Sequence, residues 1–259
     1  MVGMSSSNVL ARLVVNDARL IRKAFKAASS LIDEAPVKIS DEGFSIRALD
    51  LAEVSMIDMV ISKDAFETFE FSKPIKANIR LSDVLNLLKF EAKSEKLEMV
   101  FKEDKVTFRV TNEFTRIFTI PVFFSEDKDL PLPRVSLGNS FQTKVSTIKH
   151  LLESGKHISD YISISVENNA VLLSAKGEIS EYQVMLTVEE GNLINPVLKE
   201  ASRASYDLKR LSSIVSSLLF SEDVKIEFDT DLPLKMTQSI EEAPNSTVTF
   251  FIAPRMEKA

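Results

Sequence analysis

The chain has 259 residues, 44% of them hydrophobic, enough for two domains of ordinary size with buried cores, and that excludes a disordered polypeptide. It contains no cysteine, so a disulfide framework and a thiolate metal site are both excluded and a reducing compartment is expected. The formal charge of −6, taken as a total, argues against nucleic acid as a partner, because DNA-binding domains carry a basic excess.

Met1-Val2-Gly3-Met4-Ser5-Ser6-Ser7 has neither the basic start nor the apolar core of a signal peptide, and no apolar run approaches the roughly 20 residues that cross a bilayer, so a soluble intracellular protein is expected. Leu20, Ile21, Ala24, Phe25, Ala28, Leu31 and Ile32 recur at steps of three and four, which predicts an amphipathic helix over 17–32. The same spacing predicts helices over 81–93 (Leu81, Val84, Leu85, Leu88), 146–157 (Ile148, Leu151, Leu152) and 207–220 (Leu208, Leu211, Val215, Leu218, Leu219). Asn16, Ser82 and Ser146 are the expected N-caps of the first three, and Tyr206-Asp207 opens the fourth.

Between the helices, period-two alternation predicts strands, among them 44–49, 54–61, 66–71, 97–101, 106–110, 161–166, 171–175, 182–188, 224–228 and 247–253. Asp41-Glu42-Gly43, Glu103-Asp104, Asn168-Asn169 and Asp229-Thr230-Asp231 supply turns between them. The order is strand, helix, about five strands, helix, three strands, and then the same again. From 17 to 146 the shift is 129 residues, and from 82 to 207 about 125, so one fold is expected twice. The joint is expected within 121–140, where Pro131 and Pro133 suit an extended connector better than a central strand.

Catalytic chemistry has little to work with. His150 and His157 are seven apart in a predicted helix, which is not the spacing of a His-Glu-x-x-His zinc site, and solvated helix positions are expected for both. The six glycines form no dinucleotide or phosphate loop, and Gly155-Lys156-His157 lacks the upstream glycine and the hydroxyl. Asp127/Asp129, Asp229/Asp231 and Glu189/Glu190 fall in turns, where solvated carboxylates are the norm, and no nucleophile elbow occurs. No metal and no cofactor are expected, and the chain reads as a binding protein, not an enzyme.

Charge is segregated. In and beside the four helices, Arg19, Arg22, Lys23, Lys26, Lys89, Lys93, Lys144, Lys149, Lys156, Lys209 and Arg210 stand against Asp17, Asp83, Glu91, Glu153 and Asp207, a net +6 that leaves −12 for the rest of the chain. Helices with one apolar face on a sheet and a basic face outward give this pattern.

The last ten residues, Phe250-Phe251-Ile252-Ala253-Pro254-Arg255-Met256-Glu257-Lys258-Ala259, and the stretch Ile46-Arg47-Ala48-Leu49-Asp50-Leu51-Ala52-Glu53-Val54-Ser55-Met56 together resemble sliding clamps of the proliferating cell nuclear antigen family, archaeal type. The resemblance covers nearly the whole chain. It implies an α+β fold of two tandem copies of the DNA-clamp fold, each with two helices against antiparallel sheet, and three subunits closing a ring. The implied domains are 1–122 and 139–259, with 123–138 as the interdomain connector.

The resemblance further implies a non-enzymatic processivity factor that encircles double-stranded DNA and tethers DNA polymerase, flap endonuclease and DNA ligase after a clamp loader has placed it. Its DNA-facing residues would be Arg19, Arg22, Lys23, Lys26, Lys89, Lys149, Lys156, Lys209 and Arg210. Phosphate contacts of this kind bind without reading sequence. A partner-peptide groove would be walled by Leu49, Val54, Met56, Leu130, Leu132, Pro133, Pro233, Ile252, Ala253, Pro254 and Met256. Phe114, Ile117, Phe118, Tyr182, Val184 and Leu186 would form the subunit interface, in a homotrimer or with paralogues. Such a clamp would be cytoplasmic and nucleoid-associated in an archaeon, nuclear in a eukaryote. Glu53 stands where eukaryotic clamps usually carry histidine, and 123–129 departs from the usual connector. A checkpoint-type clamp subunit and a DNA-processing enzyme are the alternative readings.

Overall fold

Alternating apolar residues become strands, and residues spaced by three and four become helices, throughout the computed structural model, which describes residues 9–88, 95–125, 130–199 and 201–255. The first half runs β1 (Ala11–Val15), α1 (Ala18–Ala28), β2 (Glu34–Ser40), β3 (Gly43–Leu49), β4 (Ser55–Ser62), β5 (Thr68–Phe71), β6 (Ile75–Arg80), α2 (Leu81–Leu87), β7 (Lys96–Lys102), β8 (Lys105–Thr111) and β9 (Thr115–Pro121). After the short β10 (Phe123–Phe124), the second half runs β11 (Asn139–Lys144), α3 (Val145–Gly155), β12 (Tyr161–Glu167), β13 (Ala170–Lys176), β14 (Glu181–Leu186), β15 (Ile194–Val197) and β16 (Arg203–Asp207). It ends with α4 (Leu208–Ser217), β17 (Asp223–Phe228), β18 (Leu234–Ser239) and β19 (Thr247–Ile252). The predicted order of elements is the order found. Helix starts move from 18 to 145 and from 81 to 208, the same shift of 127 residues each time.

Strand order repeats as well. The sheet β5-β1-β7-β8-β9 has its counterpart in the run β15-β11-β17-β18-β19, and β6-β2-β3-β4 has its counterpart in β16-β12-β13-β14. Strands β2 and β6 pair antiparallel through Val37↔Ala77, and β12 and β16 through Ile164↔Ala204, with buried side chains at each of these positions. That is the alternation of a sheet with one face on the core. In α1, Ala24, Ala27 and Ala28 are fully buried and let the helix lie close to its sheet, where Phe25 meets Phe44 edge-on at 6.0 Å. In the second half Phe141 of β11 and Phe228 of β17, on paired strands, also meet edge-on, at 6.5 Å. Burying each such ring contributes roughly 1.5–3 kcal/mol.

The helix ends depart from the sequence expectation for an identifiable reason. Asp17, not Asn16, caps α1, its Oδ1 accepting from the Arg19 amide at 2.9 Å. Ser82 and Ser146 cap nothing, because α2 and α3 start at Leu81 and Val145 after Arg80 and Lys144, which make no side-chain cap bond. Backbone carbonyls from neighbouring loops do the work instead: the Ala18, Leu81, Val145 and Leu208 amides donate to Glu95, Asp33, Glu222 and Asp160 at 2.8–2.9 Å. Each of these contacts in the first half recurs 127 residues later. At the other ends, the Ser29 and Ser30 hydroxyls bond the carbonyls of Lys26 and Ala27, and Ser217 that of Ile214, which closes α1 and α4 short of 32 and 220. The predicted helix over 81–93 is seen to Leu87, and its positions 89–93 lie outside the described residues.

Two compact units divide the chain, each discontinuous. One comprises Met1–Ala48, Asp58–Leu130 and Ile240–Thr247, and the other Leu49–Ile57, Pro131–Ser239 and Val248–Ala259. The second unit therefore contains both the stretch after β3 and the tail, two segments that are remote in sequence. No described helix is long and apolar enough to cross a membrane.

Candidate functional site

After β3 the chain turns on Asp50. Its Oδ1 accepts from the amides of Val54 and Ser55, both at 2.9 Å, while its own amide donates to Ser55 O and its carbonyl accepts from Glu53. Glu53 takes the left-handed conformation, φ 56°, that closes the turn. The result is a loop whose Leu51, Ala52, Glu53 and Val54 are exposed and whose Asp50, Ser55 and Met56 are buried. The second carboxylate oxygen of Asp50 is ion-paired with the guanidinium of Arg210 on α4, which also donates to Ser55 Oγ at 3.5 Å.

The tail meets this loop directly. Strand β19 buries Phe250, Phe251 and Ile252, and the next residue, Ala253, donates its amide to Val54 O at 2.8 Å. Two residues on, the Arg255 amide donates to Ser205 O at 2.7 Å and its guanidinium lies 3.6 Å from the centre of the Tyr161 ring, a cation–π contact. Ala253 and Pro254 are left half-exposed. Of the other groove candidates in the second unit, Pro131 and Leu132 are exposed and Leu49, Pro133 and Pro233 half-buried. Leu232, next to Pro233, accepts from the Tyr206 hydroxyl at 2.8 Å, and burial pushes the ionisation of that phenol up, so it stays a donor. Met56 and Ile252, with 3% and 1% exposure, are core residues and cannot wall an exposed groove. Leu130 belongs to the first unit, where its carbonyl accepts from Arg47 Nη1 at 3.1 Å, and Met256 lies outside the described residues.

Among the candidate DNA-facing cations, Arg19, Lys26, Lys149, Lys156 and Lys209 are exposed, Arg22 and Lys23 are half-buried, and Lys89 lies outside the described residues. Three carry acidic neighbours: Arg19 with Asp17, whose carboxyl is held below its ordinary value by the guanidinium, Lys23 with Glu242, and Lys156 with Glu153. Exposed pairs of this kind hold their partners weakly. Arg210 differs from these. Its guanidinium is turned onto the nearly buried carboxylate of Asp50 and is 29% exposed. His150 and His157 are both exposed.

Strands β9 and β14 each end a sheet. On β9 Ile117 is 55% exposed and Phe118 half-buried, with Phe114 exposed just before it, and the strand is pinned by Arg116, which pairs with the buried Glu95. On β14 Tyr182 and Val184 are half-buried and Leu186 is core, so Leu186 cannot offer itself to a partner, whereas Met185, absent from the sequence candidates, is 46% exposed. The first unit also holds a cavity of about 270 Å³ lined by Lys38, Arg47, Lys76, Glu42 and Asp58. It is polar and unlike the surface beside the tail.

Residues 10–121 match the model of the proliferating cell nuclear antigen N-terminal domain. A DNA polymerase sliding clamp 1 of Thermococcus kodakarensis is 29% identical over 252 residues, covering 95% of this chain and 98% of the relative. A DNA polymerase sliding clamp 2 of Sulfolobus acidocaldarius is 28% identical over 249 residues, covering 95% and 100%. Among solved structures, a PCNA of Thermococcus kodakaraensis superposes with TM-score 0.88 at 22% identity, over 95% of this chain and all of that one. One of the chains in a PCNA2–PCNA3 complex from Sulfolobus tokodaii gives 0.84 at 23% identity, over 94% and 99%. The doubled strand order, the four helices and the loop joined to the tail are thus the fold of a sliding clamp. Residues 10–121 match the N-terminal domain of the proliferating cell nuclear antigen family, and about 95% of the chain is similar to DNA polymerase sliding clamps.

Proposed function

We propose that the chain is a DNA polymerase sliding clamp, a non-catalytic ring subunit that surrounds duplex DNA and tethers replication and repair enzymes. The observation that carries this reading is the bond from the Ala253 amide to Val54 O, which joins two segments about two hundred residues apart, the exposed Leu51, Ala52 and Val54 and the half-exposed Ala253 and Pro254. A surface of that composition suits a short helical turn bearing aliphatic and aromatic anchors, with tail backbone groups holding the flanks. Arg19, Arg22, Lys23, Lys26, Lys149, Lys156 and Lys209 supply the phosphate-facing charge, with Lys89 as a further candidate. The 123–138 segment serves as the connector between domains 1–122 and 139–259. Ring closure uses the sheet edges β9 and β14, through Phe114, Ile117, Phe118, Tyr182 and Val184, with Met185 added. A homotrimer and a ring shared with paralogues both fit these edges, and the Sulfolobus tokodaii relative is a two-component complex. The descriptions of the relatives give no support to a checkpoint-type clamp or a DNA-processing enzyme.

The test is extension of a primed circular template by a DNA polymerase bearing a Gln-x-x-Leu/Ile-x-x-Phe-Phe segment, with and without this protein and a clamp loader. Longer products only when the protein is present, competed away by the free peptide, are expected. Equal product lengths with an assembled ring would overturn the reading.

A further inference from the structure

We propose that Arg210 is a positioning residue of the partner surface: from the first turn of α4 it holds the Asp50 loop in the shape that receives the tail. This rests on the partner-capture reading above. The backbone of Arg210 is fixed before its side chain acts, since its amide donates to Asp207 Oδ1 at 2.7 Å and the Leu208 amide donates to Asp160 O. Its side chain, 29% exposed, then reaches Asp50, whose side chain is 8% exposed. A carboxylate that far from water needs every partner it has. Asp50 has three, the Val54 and Ser55 amides on Oδ1 and the guanidinium on Oδ2.

The chain of contacts does not stop at the loop. Val54 gives its amide to Asp50 and takes the Ala253 amide on its carbonyl, so one residue separates the ion pair from the tail. The other tail anchor, Ser205 O to the Arg255 amide, is on β16 two residues before the Asp207 cap. The junction of β16 and α4 therefore holds the partner surface from both sides, with Arg210 as its charged arm. The neighbouring Lys209 is exposed and forms no part of this linkage.

The experiment compares Arg210→Met, Arg210→Lys, Asp50→Asn and the Asp50→Asn/Arg210→Met double variant. It reads calorimetric affinity for a Gln-x-x-Leu-x-x-Phe-Phe peptide, amide hydrogen exchange at Val54, Ser55 and Ala253 in the free protein, and the thermal midpoint. Arg210→Met should weaken the peptide by roughly tenfold, the scale on which residues touching neither ligand alter binding, and speed exchange at all three amides. Arg210→Lys, which keeps the charge and covers the case of a poorly folding Met variant, should recover part of both effects, as a mere packing role would not. The double variant should be no weaker than Asp50→Asn alone, because the arginine acts through that carboxylate. Unchanged affinity and exchange in Arg210→Met, or additive losses in the double variant, would overturn the proposal. If the wild type fails to bind the peptide while Arg210→Met still loosens the three amides, capture is wrong and the hold of Arg210 on the loop stands.

Discussion

At Asp229 one carboxylate ties three segments together. Its Oδ1 accepts from the Thr230 amide at 2.8 Å and the Ser202 hydroxyl at 3.3 Å, and its Oδ2 from the Gly138 amide at 3.0 Å, with Lys199 4.0 Å away. The Thr230 bond, followed by that from Gly138, holds the carboxyl below its ordinary value of 3.8. A depressed folded pKa stabilises the protein above the unfolded value and loses that stabilisation as pH falls through the folded one. Asp229→Asn should therefore cost about 1–3 kcal/mol in urea unfolding at neutral pH, and the gap to the wild type should narrow once pH drops below the ordinary value. A gap that stays constant down to acid unfolding would show that the charge is not what matters. Gly43 is a second single-residue constraint. Its φ of +129° and a would-be Cβ only 2.1 Å from the Ile61 carbonyl oxygen leave no room for a side chain, so Gly43→Ala should cost at least about 2 kcal/mol by the same measurement. Sequence signals this local were readable: Asn168-Asn169, flagged as a turn, takes φ of 51° and 60° and forms the two-residue connection that a tight hairpin needs between β12 and β13.

At the scale of elements, the sequence carried what periodicity encodes and missed what tertiary contact decides. The apolar spacing of α1 and α4 placed their buried faces, because a helix against a sheet must show its sheet-facing residues every three or four positions. Asp207 opens α4 as expected, but the far ends of α1 and α4 were placed too late. The expected caps Ser82 and Ser146 missed the starts of α2 and α3, where loop carbonyls that no local pattern announces take the first amides. The same limit applies to the edges. Alternation divides β14 into two faces but does not say which one meets the core. Tyr182, Val184 and Leu186 share a face that ends buried at Leu186, and the outward face presents Met185. If β9 and β14 are the ring-closing edges, Ile117→Lys or Met185→Lys should lower the oligomer seen by light scattering while circular dichroism stays native. Paralogues would have to be present if the ring is shared. An unchanged oligomer for both variants would place the interface elsewhere.

Across the whole molecule, a net charge of −6 hid the most useful signal, because the sum conceals that the cations gather on helices. The structure sharpens that count by pairing Arg210 with Asp50 and giving Arg19, Lys23 and Lys156 acidic neighbours, which leaves Lys26, Lys149 and Lys209 as exposed helix cations with no salt bridge among the described residues. The meeting of Val54 with Ala253 was legible only through resemblance, since the two are some two hundred positions apart and no periodicity connects them. DNA held by phosphate contacts alone should show affinity that falls steeply with salt and does not depend on sequence. Lys26→Glu/Lys149→Glu/Lys209→Glu should therefore abolish polymerase stimulation at physiological salt while leaving the oligomer and peptide affinity unchanged. Neutral replacement of the same three should flatten the dependence of log affinity on log salt by about one unit per lysine in contact with phosphate. A clamp that slides on the duplex gains nothing from tight individual contacts, so each lysine should matter little alone and the three together much. Retention of full stimulation by the charge-reversed triple variant, with the ring intact, would take the helices off the DNA.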